Sequence, residues 1–159
     1  MYATEEPLFA AGLPLSRKLN FLLVDDDDIC LFIHRRVLDL SGYCSSPHSA
    51  TSGKTALEIL DLAAQGAMPV PDVILLDLEM PIMNGIAFLE AFQQLDYASN
   101  KQRAIVLLTS SVSGRDLDYA RTLGVSHCIS KPLSQEALDS VVHKLYESTA
   151  CLPVKSTCR

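Results

Sequence analysis

A regular alternation restricts what this chain can fold into. Short runs fit for strands are separated by longer stretches with helical spacing. The runs are LNFLLV (19–24), DVILLDL (72–78), RAIVLLTS (103–110) and SHCIS (126–130), with YCSSPHS (43–49) the weakest, because Pro47 suits a strand end or an edge. Continuous apolar runs are what strands buried on both faces require. After the first run, Asp28 is the expected helix cap, Ile29, Phe32, Ile33, Arg36, Val37 and Leu40 come close to an i, i+3, i+4 stripe, and Gly42 is the stop. In 53–65 the inward set is Ala56, Leu57, Leu60 and Ala63; in 84–95 it is Phe88, Leu89, Phe92 and Leu95, with Asn84-Gly85 as turn and helix start. A short polar helix is expected over 114–124 and an amphipathic one over 134–148, capped by Ser134. Strand and helix thus alternate five times. That pattern predicts an α/β fold: a doubly wound five-stranded parallel sheet with right-handed crossovers and helices on both faces.

At 159 residues the chain is long enough for one self-sufficient core. The expected domain spans 19–148, with tails at 1–18 and 149–159. A net charge of -6 and scattered positive residues argue against a nucleic-acid partner. No apolar stretch approaches the roughly 20 residues of a membrane helix, and the acidic N-terminus is unlike a signal peptide. A cytoplasmic protein without membrane contact is expected. The five cysteines are odd in number and form no CxxC pair, which disfavours both disulfides and zinc. His34, His48, His127 and His143 are placed on helix surfaces and loops.

Parallel sheets place their sites at the carboxyl ends of strands. Here the first strand ends in Asp25-Asp26, the third in Asp77 and the fourth in Thr109, while the fifth runs into Lys131-Pro132. Three carboxylates against one ammonium leave a local excess of about two negative charges, which a hard divalent cation, Mg²⁺, would cancel through oxygen ligands. Magnesium is often completed by a phosphate, and a carboxylate beside it can act as nucleophile and become an acyl phosphate. Lys131 would hold a phosphoryl oxygen as a point charge, and Thr109 would bond another.

The motifs LLVDDDD, VILLDLEMPIMNG, IVLLTSS and ISKPL, in this order and on these element ends, resemble those of the response-regulator receiver domain over roughly residues 19–148. The resemblance implies strand order 2-1-3-4-5. It implies Asp77 as phosphoacceptor, charged by a phosphohistidine of a sensor histidine kinase or phosphotransfer protein. Asp25 and Asp26 would be the acidic pair around Mg²⁺, with Asp26 the more direct ligand, and Glu79 would add its backbone carbonyl. Thr109 and Lys131 would fill the family's hydroxyl and lysine roles, and Lys131-Pro132 would be cis. Asp27 and Asp28 are left to start the helix, where its dipole favours negative charge.

Cys128 departs from the pattern: an aromatic residue often stands there and turns inward on phosphorylation. It is expected to be small core filling, with Tyr119 a substitute aromatic. Glu79 and Ser111 occupy the positions that tune phosphoryl lifetime in such domains.

The expected function is a stand-alone phosphorylatable switch rather than an enzyme. Its output would be a protein contact on the fourth helix, fifth strand and fifth helix, through Arg115, Asp118, Tyr119, Ser130 and Gln135. The alternative is a Mg²⁺-dependent phosphohydrolase working through an aspartyl-phosphate, with Glu79 as the acid that protonates a leaving group.

Overall fold

Period-two alternation along each inner strand sends neighbouring side chains to opposite faces of a sheet, so a continuously apolar strand needs cover on both sides. The computed structural model, which describes residues 18–95, 103–111 and 113–150, supplies that cover. In chain order the elements are β1 (Phe21–Val24), α1 (Asp28–Ser41), β2 (His48–Ala50), α2 (Gly53–Ala64), β3 (Val73–Leu76), α3 (Gly85–Gln93), β4 (Ala104–Thr109), α4 (Gly114–Thr122), β5 (Val125–Ser130) and α5 (Gln135–Ala150). All strands are parallel, in the order β2-β1-β3-β4-β5.

Leu22, Val24, Ile74, Leu76, Ile105 and Leu107 pack on one face against Leu60 of α2, Phe88 and Phe92 of α3 and Ala120 of α4. Phe21, Leu23, Val73, Leu75, Val106 and Leu108 pack on the other against Leu31 and Leu38 of α1 and Leu138 and Val142 of α5. Each such fully buried large side chain contributes roughly 1.5–3 kcal/mol of apolar transfer. The helix starts are individually capped. Asp27, Ser52, Asn84 and Ser113 accept backbone N–H groups at the first turns of α1, α2, α3 and α4, and Ser134 accepts from Ala137 at the start of α5.

Several expectations need correction. The cap of α1 is Asp27, whose carboxylate accepts from Ile29 and Cys30; Asp28 is already in the first turn. The buried face of α1 carries Leu31, His34, Leu38 and Ser41. The expected stripe points mostly outward, with Ile29 at 70 %, Phe32 at 71 % and Leu40 at 66 % exposure. Apolar residues nearly encircle α1, so two stripes competed, and the sheet took the one containing Leu31 and Leu38. His34, expected on the surface, is 1 % exposed. Cys128, expected in the core, is exposed: it lies on β5, an edge strand paired only with β4. The second strand is displaced. Leu19 bridges Cys44, and β2 forms only after Pro47, which has no N–H to give a ladder. Residues 1–17 and 151–159, most of the two expected tails, lie outside the described residues, as do Cys151 and Cys158.

Candidate functional site

Parallel register decides what meets at the upper rim. Val24 pairs with Leu76, so the next residues, Asp25 and Asp77, emerge side by side. Their backbones are tied to the sheet: Asp25 N–H donates to Ala50 and Asp77 N–H to Val24. Thr109 closes β4 opposite Ser130, and Lys131 follows at once, donating its N–H to the Thr109 carbonyl. The Lys131-Pro132 bond is cis.

The side chains converge. One carboxylate oxygen from each of Asp25, Asp26 and Asp77 lies within 4.8 Å of the others. Asp25, Asp77 and Thr109 are buried and Asp26 is exposed. Lys131 Nζ donates to Asp25 Oδ2 at 2.6 Å and lies 3.4 Å from Asp77 Oδ2. The remaining Asp25 oxygen accepts from Asp27 N–H at 2.9 Å, and Asp77 Oδ1 accepts from Glu79 N–H at 3.2 Å. Thr109 Oγ1 donates to the Ser111 carbonyl at 3.0 Å. Glu79 is exposed and lines, with Asn84, Ser111 and Asp116, a cleft beside the acids.

These charges act on one another. Burial pushes the Asp77 carboxyl above its ordinary range, against the Glu79 N–H and the Lys131 ammonium, which favour the anion. Burial opposes the Lys131 charge, yet the Asp25 hydrogen bond and the Asp25 and Asp77 charges outweigh it, so its pKa is raised. A single ammonium thus serves two buried carboxylates. The set fits a small hard cation: all donors are oxygens, one is open to solvent, and the negative charge is incompletely matched.

Every residue expected at the site stands at this rim. Sequence reasoning missed three neighbours. Gly85 carries no side chain because a Cβ there would stand 2.6 Å from the Asp77 carbonyl oxygen and 2.8 Å from Leu78 Cα. Cys30 Sγ donates to Asp27 Oδ2 at 3.5 Å and lies 3.9 Å from Lys131 Nζ. His34 is buried one turn further along α1, and burial, ahead of the Asp25, Lys131 and Asp27 charges, lowers its pKa. Tyr119, the substitute aromatic, donates instead to Glu90 on α3 at 2.6 Å.

This fold with this rim defines a phosphoacceptor module of two-component signalling. The family model for the response regulator receiver domain matches residues 21–143, and the chain belongs to that family. It is 33% identical over 128 residues to the probable methanogenesis regulatory protein FilR2 of Methanothrix harundinacea, covering 79% of this chain and 80% of that protein. It is 30% identical over 130 residues to the aerobic respiration control sensor protein ArcB of Escherichia coli, covering 82% of this chain but only 15% of ArcB. A two component response regulator from Cytophaga hutchinsonii superposes with a TM-score of 0.74 at 30% identity, over 82% of this chain and 99% of that one.

Proposed function

We propose that Asp77 is the residue phosphorylated, with Asp25, Asp26 and the Glu79 carbonyl joining it in holding Mg²⁺. The observation that supports this best is the convergence of three carboxylates and the Lys131 ammonium at the strand ends. A bound Mg²⁺ would neutralise the acids and screen the incoming phosphoryl oxygens. The Asp77 oxygen attacks phosphorus of a phosphohistidine; the P–N bond breaks, and the imidazole leaves with its electron pair. Lys131, already within reach of Asp77, holds a phosphoryl oxygen. Thr109 turns its hydroxyl from the Ser111 carbonyl to another phosphoryl oxygen, freeing the segment that leads into α4.

The upstream partner is a sensor histidine kinase or phosphotransfer protein. It docks over Ile29, Phe32 and Ile33, the exposed apolar residues of α1 beside Asp25 and Asp26. The downstream partner reads α4, β5 and α5, where Arg115, Asp118, Tyr119, Ser130 and Gln135 are all exposed. A cytoplasmic setting suits such partners, and among the described residues no helix is long and apolar enough to cross a membrane. The module is not itself an enzyme; its chemistry is limited to accepting and slowly losing its own phosphoryl group. A phosphohydrolase would need Glu79 poised inward over a substrate, whereas that residue is exposed.

Phosphoramidate with Mg²⁺ tests the assignment. The Asp77 peptide should gain about 80 Da, the mass of one phosphoryl group, and Asp77→Asn should take none. Label that persists in that variant would remove Asp77 from the role.

A further inference from the structure

Three thiols lie among the described residues, in three settings. Cys44 is buried, Cys128 is exposed on β5, and Cys30 is half-exposed at the acid rim. Only Cys30 touches the charged machinery. Its S–H points to Asp27 and a sulfur lone pair faces the Lys131 ammonium, 3.9 Å away. One turn along the same helix lies His34, 1 % exposed, with Nε2 buried and without a hydrogen-bond partner. Residues four apart share a helix face, and helical side chains lean toward the N-terminus, here toward Cys30 and the rim. Burial lowers the His34 pKa, so the ring in this face of α1 is held neutral.

An oxygen added to Sγ can reach Nζ with neither atom moving. An S–O bond of about 1.6 Å and an N–H···O contact of about 2.8 Å span 3.9 Å when the angle at oxygen is roughly 120°. We infer that Cys30 is an oxidation site at which hydrogen peroxide disables the phosphorylation site by capturing Lys131. The sulfur lone pair attacks a peroxide oxygen and the O–O bond breaks. The departing hydroxide takes the thiol proton, so that R–SH and H₂O₂ give R–SOH and H₂O. A second peroxide gives the sulfinic acid and another water; the acid loses its proton to become an anion. That anion lies against the ammonium that now serves Asp25 and Asp77. Burial first, then the Asp25 and Asp27 charges, keep the resting thiol protonated against the pull of Lys131. The reaction is therefore slow and answers to sustained oxidant rather than to trace peroxide.

The inference rests on Asp77 being the phosphoacceptor, and its test separates the two. The full chain is treated with hydrogen peroxide, quenched, and given phosphoramidate and Mg²⁺, with reduced protein alongside. Oxidised protein should carry about 16 or 32 Da on the Cys30 peptide, one or two oxygens. Its initial rate of Asp77 labelling should fall about tenfold, the scale of losing a supporting contact at such a site. Cys128→Ser should lose as much, and Cys30→Ser should keep its rate. Calorimetry with Mg²⁺ alone gives a second readout. Drawing Lys131 off Asp25 should raise Mg²⁺ affinity severalfold in oxidised protein and leave Cys30→Ser unchanged. A Cys30-oxidised protein that labels at the reduced rate overturns the inference, and so does a loss of labelling that persists in Cys30→Ser. If reduced protein takes no label, the phosphoacceptor assignment falls, and the Mg²⁺ shift then decides for or against Cys30: its absence overturns the inference.

Discussion

The rim above β1 and β3 and the face formed by α4 and β5 are built in opposite ways. At the rim, buried Asp25, Asp77 and Thr109 are fixed by strand register, by backbone N–H donors and by one shared lysine. Gly85 lies so close beneath that no side chain fits there. At the other face, α4 buries only Ala120, and β5 shows Ser126, Cys128 and Ser130 to solvent. The hydrogen bond Tyr119 makes to Glu90 is itself exposed. The contrast separates two jobs. Chemistry needs groups held to a fraction of an ångström, while a response needs an element that costs little to move. The chain spends its polar burial on the first and leaves the second loosely tied.

Four experiments attack this contrast, from the largest expected effect to the smallest. Gly85→Ala forces a Cβ against the Asp77 backbone and should lower stability by about 2–3 kcal/mol in urea unfolding, at the upper end of overpacking costs. A loss under half of that would mean that the rim yields. Phe32→Asp should slow transfer from a protein phosphodonor about tenfold while labelling by phosphoramidate stays unchanged, because Phe32 is exposed on the outer face of α1. Equal loss with both donors would place Phe32 in the site rather than in docking.

Asp77→Asn probes the cost of the buried charge. Burial raises the Asp77 pKa, so the folded state holds that proton more tightly than the unfolded chain does. Stability from this group is therefore present at low pH and lost as pH rises through the window between its ordinary and its raised pKa. At pH 7 the substitution should raise the melting temperature by about 3 °C, near what ~1 kcal/mol does in a domain of this size. The gain should vanish on acidification, and a gain that survives in acid would point to a cause other than charge. The smallest effect belongs to Tyr119→Phe. It removes one exposed hydrogen bond and should cost at most ~0.5 kcal/mol by thermal unfolding. A larger cost would show α4 to be held as firmly as the rim.

Legibility in the sequence followed the same division. Strands buried on both faces announce themselves as unbroken apolar runs, and β1, β3 and β4 fell where those runs lie. The residues that end or directly follow those strands, Asp25, Asp77 and Thr109, were legible for the same reason. Helix faces were not. In α1 the apolar residues are too many to name one side, and the choice between Ile29–Phe32–Ile33 and Leu31–Leu38 was made by the sheet. A histidine and a cysteine give no periodic signal: sequence pattern puts His34 outside and Cys128 inside, each the reverse of its place.

What the sequence determined by itself is therefore local and periodic: the alternation of elements, and which polar residue ends or follows each inner strand. Backbone hydrogen bonding and the two-residue and 3.6-residue repeats act within a few positions, and each leaves its mark on neighbouring letters. What only the tertiary structure decided is proximity: Lys131 between Asp25 and Asp77, a thiol in reach of that lysine, an imidazole buried in the helix face that meets the sheet, and a glycine required by a backbone eight residues away. These depend on register and packing between distant segments, and distances of that kind leave no repeat in the chain to read.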